Sequence, residues 1–183
     1  MPKEIERKFL VAQPSILVSL EGERIVQGYV AKELYGMTTR VRIRANQAFI
    51  TLKGPSVGFS RDEYEYSIPL ADAEEILGRY SRGRIVCKTR YLVVHDELTY
   101  EIDVFAGRHT GLVVAELELS DEDQLVNFPS WIGEEVTSDS RFGNFALAML
   151  DASPESKWWI SEFGLQNEAN DCCCRYSSLL SCP

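Results

Sequence analysis

Apolar and polar side chains alternate with a period of two along most of the chain as far as Leu119. That alternation marks strands with one greasy face and one polar face. Glu4 to Val11, Arg24 to Lys32, Thr39 to Ala45, Ala48 to Lys53 and Ser60 to Pro69 read as strands on this basis. Arg84 to His95, Leu98 to Phe105 and Val113 to Leu119 form a second series. Turn signals separate them: Asn46-Gln47, the Gly54-Pro55-Ser56-Val57-Gly58 loop, Asp96-Glu97, and Gly107 to Gly111. Helical periodicity is confined to insertions. Pro14 to Leu20 reads as a short helix or turn, and Ala71 to Tyr80 as a helix with Ile76, Leu77 and Tyr80 on one side. Ser120, with Asp123 three residues on, caps an expected short helix through Phe128 that Pro129 ends. Glu134 to Thr137 reads as a last strand and Phe142 to Leu150 as a last helix. Regular short strands joined by tight turns predict an antiparallel barrel or sandwich.

The chain of 183 residues accommodates one ordinary domain, placed at residues 1–150. From Asp151 the composition shifts. Pro154 to Leu165 reads as an amphipathic helix carrying Trp158, Trp159 and Phe163, and from Gln166 the tail is polar, cysteine-rich, without period and expected to be disordered. Apolar residues at 45% and charged residues at 26% support a folded core. A net charge of −9 argues against a broadly basic nucleic-acid surface and against attraction to anionic membranes. No run approaches the length of a membrane span, and the charged first residues carry no apolar leader, so a cytoplasmic location is expected. Cys172, Cys173, Cys174 and Cys182 crowd the tail without zinc-site spacing, while Cys87 falls in a strand.

The informative feature is a recurrence of ionic residues two apart. Glu4, Glu6 and Lys8 share one strand face; Arg40, Arg42 and Arg44 share another; Thr51 and Lys53 follow. Then come Arg61, Glu63 and Glu65, Lys88 and Arg90, Glu101 and Asp103, Glu116 and Glu118. Gln27 and Tyr29 alternate in phase with a polar face. The intervening positions are mostly apolar. One reading is a half-buried sheet whose charges sit in water as cross-strand ion pairs. The other closes the sheet into a barrel with an ionic interior, where carboxylates hold divalent cations and Lys and Arg hold a polyphosphate. Like-charge neighbours such as Glu116 and Glu118, or Arg42 and Arg44, are costly without a compensating ion. Alternation alone leaves both readings standing.

The order of the segments adds a resemblance. Glu4-Ile5-Glu6-Arg7-Lys8 is an ExExK strand, Arg42-Ile43-Arg44 an RxR strand and Thr51-Leu52-Lys53 a TxK strand. Glu63-Tyr64-Glu65, Lys88-Thr89-Arg90, Glu101-Ile102-Asp103 and Glu116-Leu117-Glu118 follow, and Glu135-Val136-Thr137 with Arg141 and Asn144 closes the series. In this order they resemble the triphosphate tunnel metalloenzymes, the CYTH superfamily, in its short single-domain bacterial form. The resemblance implies a mainly β (α+β) chain: an eight-stranded antiparallel β-barrel forming a tunnel, with a few covering helices.

It also implies roles. Glu4, Glu6, Lys8, Lys88 and Arg90 are the expected catalytic set, and Lys8, Arg42, Arg44, Lys53, Lys88 and Arg90 the expected phosphate contacts. Glu4, Glu6, Asp103, Glu116 and Glu118 are the expected ligands of a pair of Mg²⁺ or Mn²⁺ ions. Glu63 and Glu65 enter as further ligands or as carboxylates that orient Lys and Arg; Arg40 ranks below the RxR pair. His95 and His109 read as exposed loop residues, and Cys87 points away from the tunnel. The expected substrate is a small-molecule triphosphate, foremost inorganic tripolyphosphate hydrolysed to pyrophosphate and phosphate, with no nucleic-acid or membrane partner and a monomeric or homodimeric chain. The alternatives are an adenylate cyclase using ATP in the same tunnel, a thiamine or nucleoside triphosphatase, and, outside catalysis, a polyphosphate-binding module.

Overall fold

Strand alternation builds one antiparallel sheet that curls back on itself. The computed structural model describes residues 3–32, 36–55, 60–121 and 123–150, the side chains of Lys3, Glu4, Lys32 and Ser60 excepted. The expectations for residues 151–183 lie outside the described residues. The strands are β1 (Lys3–Val11), β2 (Glu23–Lys32), β3 (Thr38–Arg44), β4 (Gln47–Lys53) and β5 (Ser60–Ile68). After helix α1 (Leu70–Tyr80) come β6 (Ile85–His95), β7 (Leu98–Phe105), β8 (Val113–Glu118), β9 (Ile132–Glu135) and helix α2 (Asn144–Met149).

Their order is β5-β4-β3-β2-β6-β7-β8-β1-β9, and β1 also pairs with β5. Closure rests on Lys3 opposite Asp62, Glu4 opposite Arg61 and Ile5 opposite Ser60. Further along, β1 keeps β8 on one side, while Phe9 and Val11 pair with β9 on the other. β1 to β8 therefore make the expected barrel, closed by a short seam, and β9 is an added edge. The tip of the β6–β7 hairpin turns through Asp96 and Glu97 at φ 47° and 65°, the mirror-image turn that suits the twist of a two-residue hairpin.

Two apolar clusters cover the outside. Val26, Val41, Ile43, Ala48, Ile85 and Cys87 pack beneath Ala73 and Leu77 of α1. Gly28 of β2 lets the helix approach: an added Cβ would lie 2.6 Å from Ser81 Cβ and 2.7 Å from Leu77 Cδ2. Gly28→Ala is therefore expected to destabilise the fold by about 1–3 kcal/mol through overpacking. A thermal or urea melt equal to wild type would contradict that contact. On the other side, Phe9, Val11, Tyr100, Ile102, Ala115 and Leu117 pack against Trp131 and against Leu17 of the 3-10 turn Pro14–Leu17. The Tyr100 and Trp131 rings meet edge-on at 5.1 Å, a packing role for that tryptophan.

The helix expected through Phe128 does not form in the described residues of that stretch. Ser120 donates its N–H and its hydroxyl to Gln124 Oε1, and Asp121 Oδ1 accepts from the Asp123 N–H. Such local bonds compete with a helical ladder. Leu125, 97% exposed, supplies no apolar face for a helix to bury. Phe128 packs on Phe9 instead, 4.9 Å between ring centroids.

The third cluster lies inside. Leu10, Tyr29, Val86, Phe105 and Val114 share the strand phases of the ionic residues, and Val136, Phe142, Leu147 and Ala148 pack on them. One end of the barrel is thus an apolar plug fastened by α2. His109, expected at the surface, is 1% exposed, and its Nε2 lies 2.8 Å from Leu147 O. The Gly107 to Gly111 loop folds inward and adds side-chain partners to carbonyls at the end of α2. Arg108 meets another of these by donating to Leu150 O at 2.6 Å.

Candidate active site

Above the plug the inner positions turn ionic and surround a cavity of about 690 Å³. Glu6 and Lys8 of β1 line it, with Arg42 and Arg44 of β3, Lys53 of β4, Glu63 of β5, Lys88 and Arg90 of β6, and Glu116 and Glu118 of β8. Residues spread from position 6 to 118 meet there because period-two alternation aims each of these side chains at the barrel axis. Cys87, one position out of phase, is buried under α1 as expected.

One wall is rich in carboxylates. Glu6 stands directly opposite Glu118 in the β1–β8 ladder, and Lys8 opposite Glu116. The Lys8 ammonium is gripped by Glu6 and by Glu116, the latter at 2.6 Å. Burial acts to raise the Glu116 pKa, but Lys8, Lys88 and Arg90 outweigh it and hold this carboxyl well below the usual carboxylate range. Glu116 is therefore an anion throughout the neutral range. Glu4 sits in β1 opposite Arg61, and its side chain lies outside the described set.

The facing wall is cationic. Arg42 donates to both Glu65 oxygens at 2.8 and 2.9 Å, Lys53 pairs with Glu63 at 2.5 Å, and Thr51 donates to Glu65 at 2.8 Å. Glu63 and Glu65 thereby hold the Arg and Lys groups in place. Burial first, and then the neighbouring Arg40 charge, lower the Arg42 pKa. Two guanidiniums crowded this way favour the arrival of an anion. Arg44, held by Glu23, is partly exposed and sits furthest from the plug along β3.

Next to the plug, Asp103 is 1% exposed and surrounded by cations. It accepts from Lys88, and from Arg90 at 2.7 Å on Oδ1 and 2.6 Å on Oδ2. Arg90 also reaches Glu116 at 2.7 Å and bonds Glu101. Its pKa is raised, because those carboxylates outweigh burial. Lys88 is pushed down to about 8, chiefly by burial and further by Arg90, with Asp103 opposing. Its ammonium also donates to Asn144 Oδ1 of α2 at 3.3 Å. Tyr29, raised to about 12 mainly by burial, keeps its proton and meets Phe145 edge-on at 5.1 Å.

The donor chemistry fits a hard divalent cation. Glu6 and Glu116 already converge on one positive charge, the Lys8 ammonium, and the register sets Glu118 against Glu6. Carboxylate oxygens are the ligands that Mg²⁺ and Mn²⁺ prefer. As they stand, no three such groups among the described residues converge on one point, and the Lys8 ammonium lies between Glu6 and Glu116. Asp103 differs in that both of its oxygens are occupied by Lys88 and Arg90.

Several cavity residues named in the sequence analysis carried no expected role there. Arg40, 5% exposed and bonded to Thr51 and Glu65, is as much part of the cationic wall as Arg42; its phase was visible, its burial was not. Arg61 lines the same cavity and lies 3.4 Å from Glu6 across the barrel seam. Asn144 enters from α2, so no strand alternation signals it. Gln27, in phase with Tyr29, is fully buried within the wall, whereas Tyr29 reaches the cavity.

Known proteins resemble this chain in sequence and fold. The chain is 41% identical over 147 residues to the inorganic triphosphatase of Acetivibrio thermocellus, covering 80% of this chain and 94% of that one. It is also 41% identical over 150 residues to the inorganic triphosphatase of Nitrosomonas europaea, covering 80% and 97%. The crystal structure of the inorganic triphosphatase NE1496 superposes with a TM-score of 0.62 at 38% identity, over 82% of this chain and 97% of that one. The CYTH domain itself matches residues 2–146, which hold every strand and the residues lining the ionic cavity, and the chain belongs to the CYTH domain family.

Proposed function

We propose that this chain is a divalent-metal-dependent inorganic triphosphatase that hydrolyses tripolyphosphate to pyrophosphate and phosphate. The observation that carries this reading is the convergence of Lys8, Arg42, Lys53, Lys88 and Arg90 on one cavity together with Glu6, Glu116 and Glu118. A linear triphosphate is a flexible polyanion. Phosphoryl transfer asks a protein chiefly to position it and to stabilise spreading charge. Two relatives at 41% identity are named inorganic triphosphatases, which supports the same substrate here.

In this reading Arg42, Lys53 and Arg90 hold the phosphate oxygens, and Arg44 receives the anion on its way in. Glu63, Glu65 and Asp103 keep those cations aimed, since each is bonded to one or more of them. Glu4, Glu6, Glu116 and Glu118 are the residues that would hold Mg²⁺ or Mn²⁺, with Asp103 available only if Lys88 or Arg90 releases it. A bound ion would offset phosphate charge and acidify the attacking water. Lys88, about half neutral near pH 8, is the group placed to take the proton of the attacking water, and Lys8 would turn to the phosphate where a cation displaces it from the carboxylates.

The test offers tripolyphosphate, ATP and thiamine triphosphate separately with Mg²⁺ or Mn²⁺, and follows phosphate, pyrophosphate and cyclic AMP. Tripolyphosphate is expected to be the preferred substrate, with activity lost in excess EDTA and restored by the ion. Cyclic AMP as the main product would overturn the reading in favour of a cyclase, and tight binding of tripolyphosphate without turnover would overturn it in favour of a binding module.

A further inference from the structure

Lys88 is the least exposed cation of the cavity, its side chain 2% accessible, and one of its partners comes from outside the barrel. That partner is Asn144, the first residue of α2, whose Oδ1 accepts from Lys88 Nζ at 3.3 Å. An ammonium has three donors and no acceptor, so chemistry alone dictates which end of the amide faces it. The oxygen must point at Lys88, and the NH₂ group must point elsewhere. Asn144 lines the cavity, and its Nδ2 has no protein partner among the described residues. The amide is therefore a two-ended element. One end fixes a cation, and the other offers two neutral donors to whatever fills the cavity beside the plug.

The mounting of α2 makes this position rigid. Leu147, one turn along, is fully buried in the plug, and its carbonyl meets His109. Arg108 holds the Leu150 carbonyl, and the neighbouring Phe145 packs edge-on against Tyr29. A six-residue helix has little stability of its own, so these contacts are what set the Asn144 side chain.

We infer that Asn144 is a substrate-contacting residue of the plug helix: its Oδ1 orients Lys88 while its Nδ2 donates to an oxygen of the phosphoryl group lying deepest in the cavity. The inference rests on the triphosphatase reading. A neutral amide at this point binds phosphate oxygen without competing with Lys88 for Asp103, as a further cation would. The closed end of the barrel thus recognises a phosphate terminus by a hydrogen bond that a carboxylate in the same place would reverse into repulsion.

Asn144→Asp separates the two ends, because it keeps an acceptor for Lys88 and removes the donors. For tripolyphosphate with saturating Mg²⁺, Asn144→Asp is expected to raise KM by about 30-fold or more. Asn144→Ala loses both ends and is expected to lower kcat about 10-fold while raising KM about 10-fold. Met149→Ala, on the exposed side of the same helix, serves as the control and is expected to match wild type. Thermal melts of the full chain with and without tripolyphosphate give a second readout: both Asn144 variants should keep the ligand-free midpoint and lose much of the ligand-induced rise. Wild-type KM in Asn144→Asp would show that Nδ2 does not touch substrate and would overturn the inference. A loss in both variants that is matched by a collapsed ligand-free melt would assign Asn144 to folding and overturn it equally. If the wild-type chain neither binds nor hydrolyses tripolyphosphate, the functional reading itself fails, an outcome distinct from variants that match an active wild type.

Discussion

Lys88→Met is expected to lower kcat for tripolyphosphate by about 10³-fold, the scale on which loss of a positioned base and of local charge stabilisation is felt. Methionine keeps the length and apolar stem of lysine, so the packing beside the plug survives while the amine is lost. Lys88 is buried among Asp103, Arg90 and Asn144, and burial carries its pKa from the ordinary lysine value down to about 8. A general base works in its neutral form. Activity that depends on neutral Lys88 is therefore full above pH about 8 and falls about tenfold per unit below it. Lys88→Arg retains the charge but removes the titration, because a guanidinium stays protonated throughout this range. That variant should be nearly as inactive as Lys88→Met and should lose the rising limb of the pH profile. Wild-type kcat in either variant would remove Lys88 from the proton path, and a flat wild-type profile across this pH range would do the same.

Glu6→Gln is expected to lower kcat/KM at fixed Mg²⁺ by about 100-fold, with a weaker apparent affinity for the ion. The substitution preserves shape and removes one of the two charges that converge on Lys8. Titrating Mg²⁺ against activity separates this from lost substrate binding, since a missing ion ligand moves the metal midpoint as well as the plateau. Unchanged metal dependence would assign Glu6 to holding Lys8 and Arg61 alone, the partners that it has in this structure. Acid is not expected to mimic the variant near neutrality. Glu116, the other carboxylate on Lys8, is held well below its usual range by Lys8, Lys88 and Arg90.

Much of the molecule was legible in one dimension. Strand limits fell within about two residues of the alternation, because a half-buried sheet writes its two faces directly into the sequence. Every ionic side chain assigned from the alternation and described here points into the barrel, for the same reason. The 120–128 segment shows where local reading fails: the cap at Ser120 was spent on Gln124, and Leu125 found nothing to pack on. His109 failed in the opposite sense. Its glycine-flanked loop reads as exposed, yet the ring lies buried in the plug with Nε2 against the Leu147 carbonyl.

The sequence by itself determined which side chains share a face, the sorting of their charges and the family to which that order points. It could not say which charges meet. Pairing of Lys8 with Glu116, of Lys88 with Asp103 and of Arg42 with Glu65 depends on strand register and barrel closure, and both are set by contacts between distant segments. Nor could it show that the inner face changes character along the axis, from ionic residues to Leu10, Val86, Phe105 and Val114. That change appears only once the strands are staggered side by side, and it is what brings α2, with Asn144, against the buried lysine.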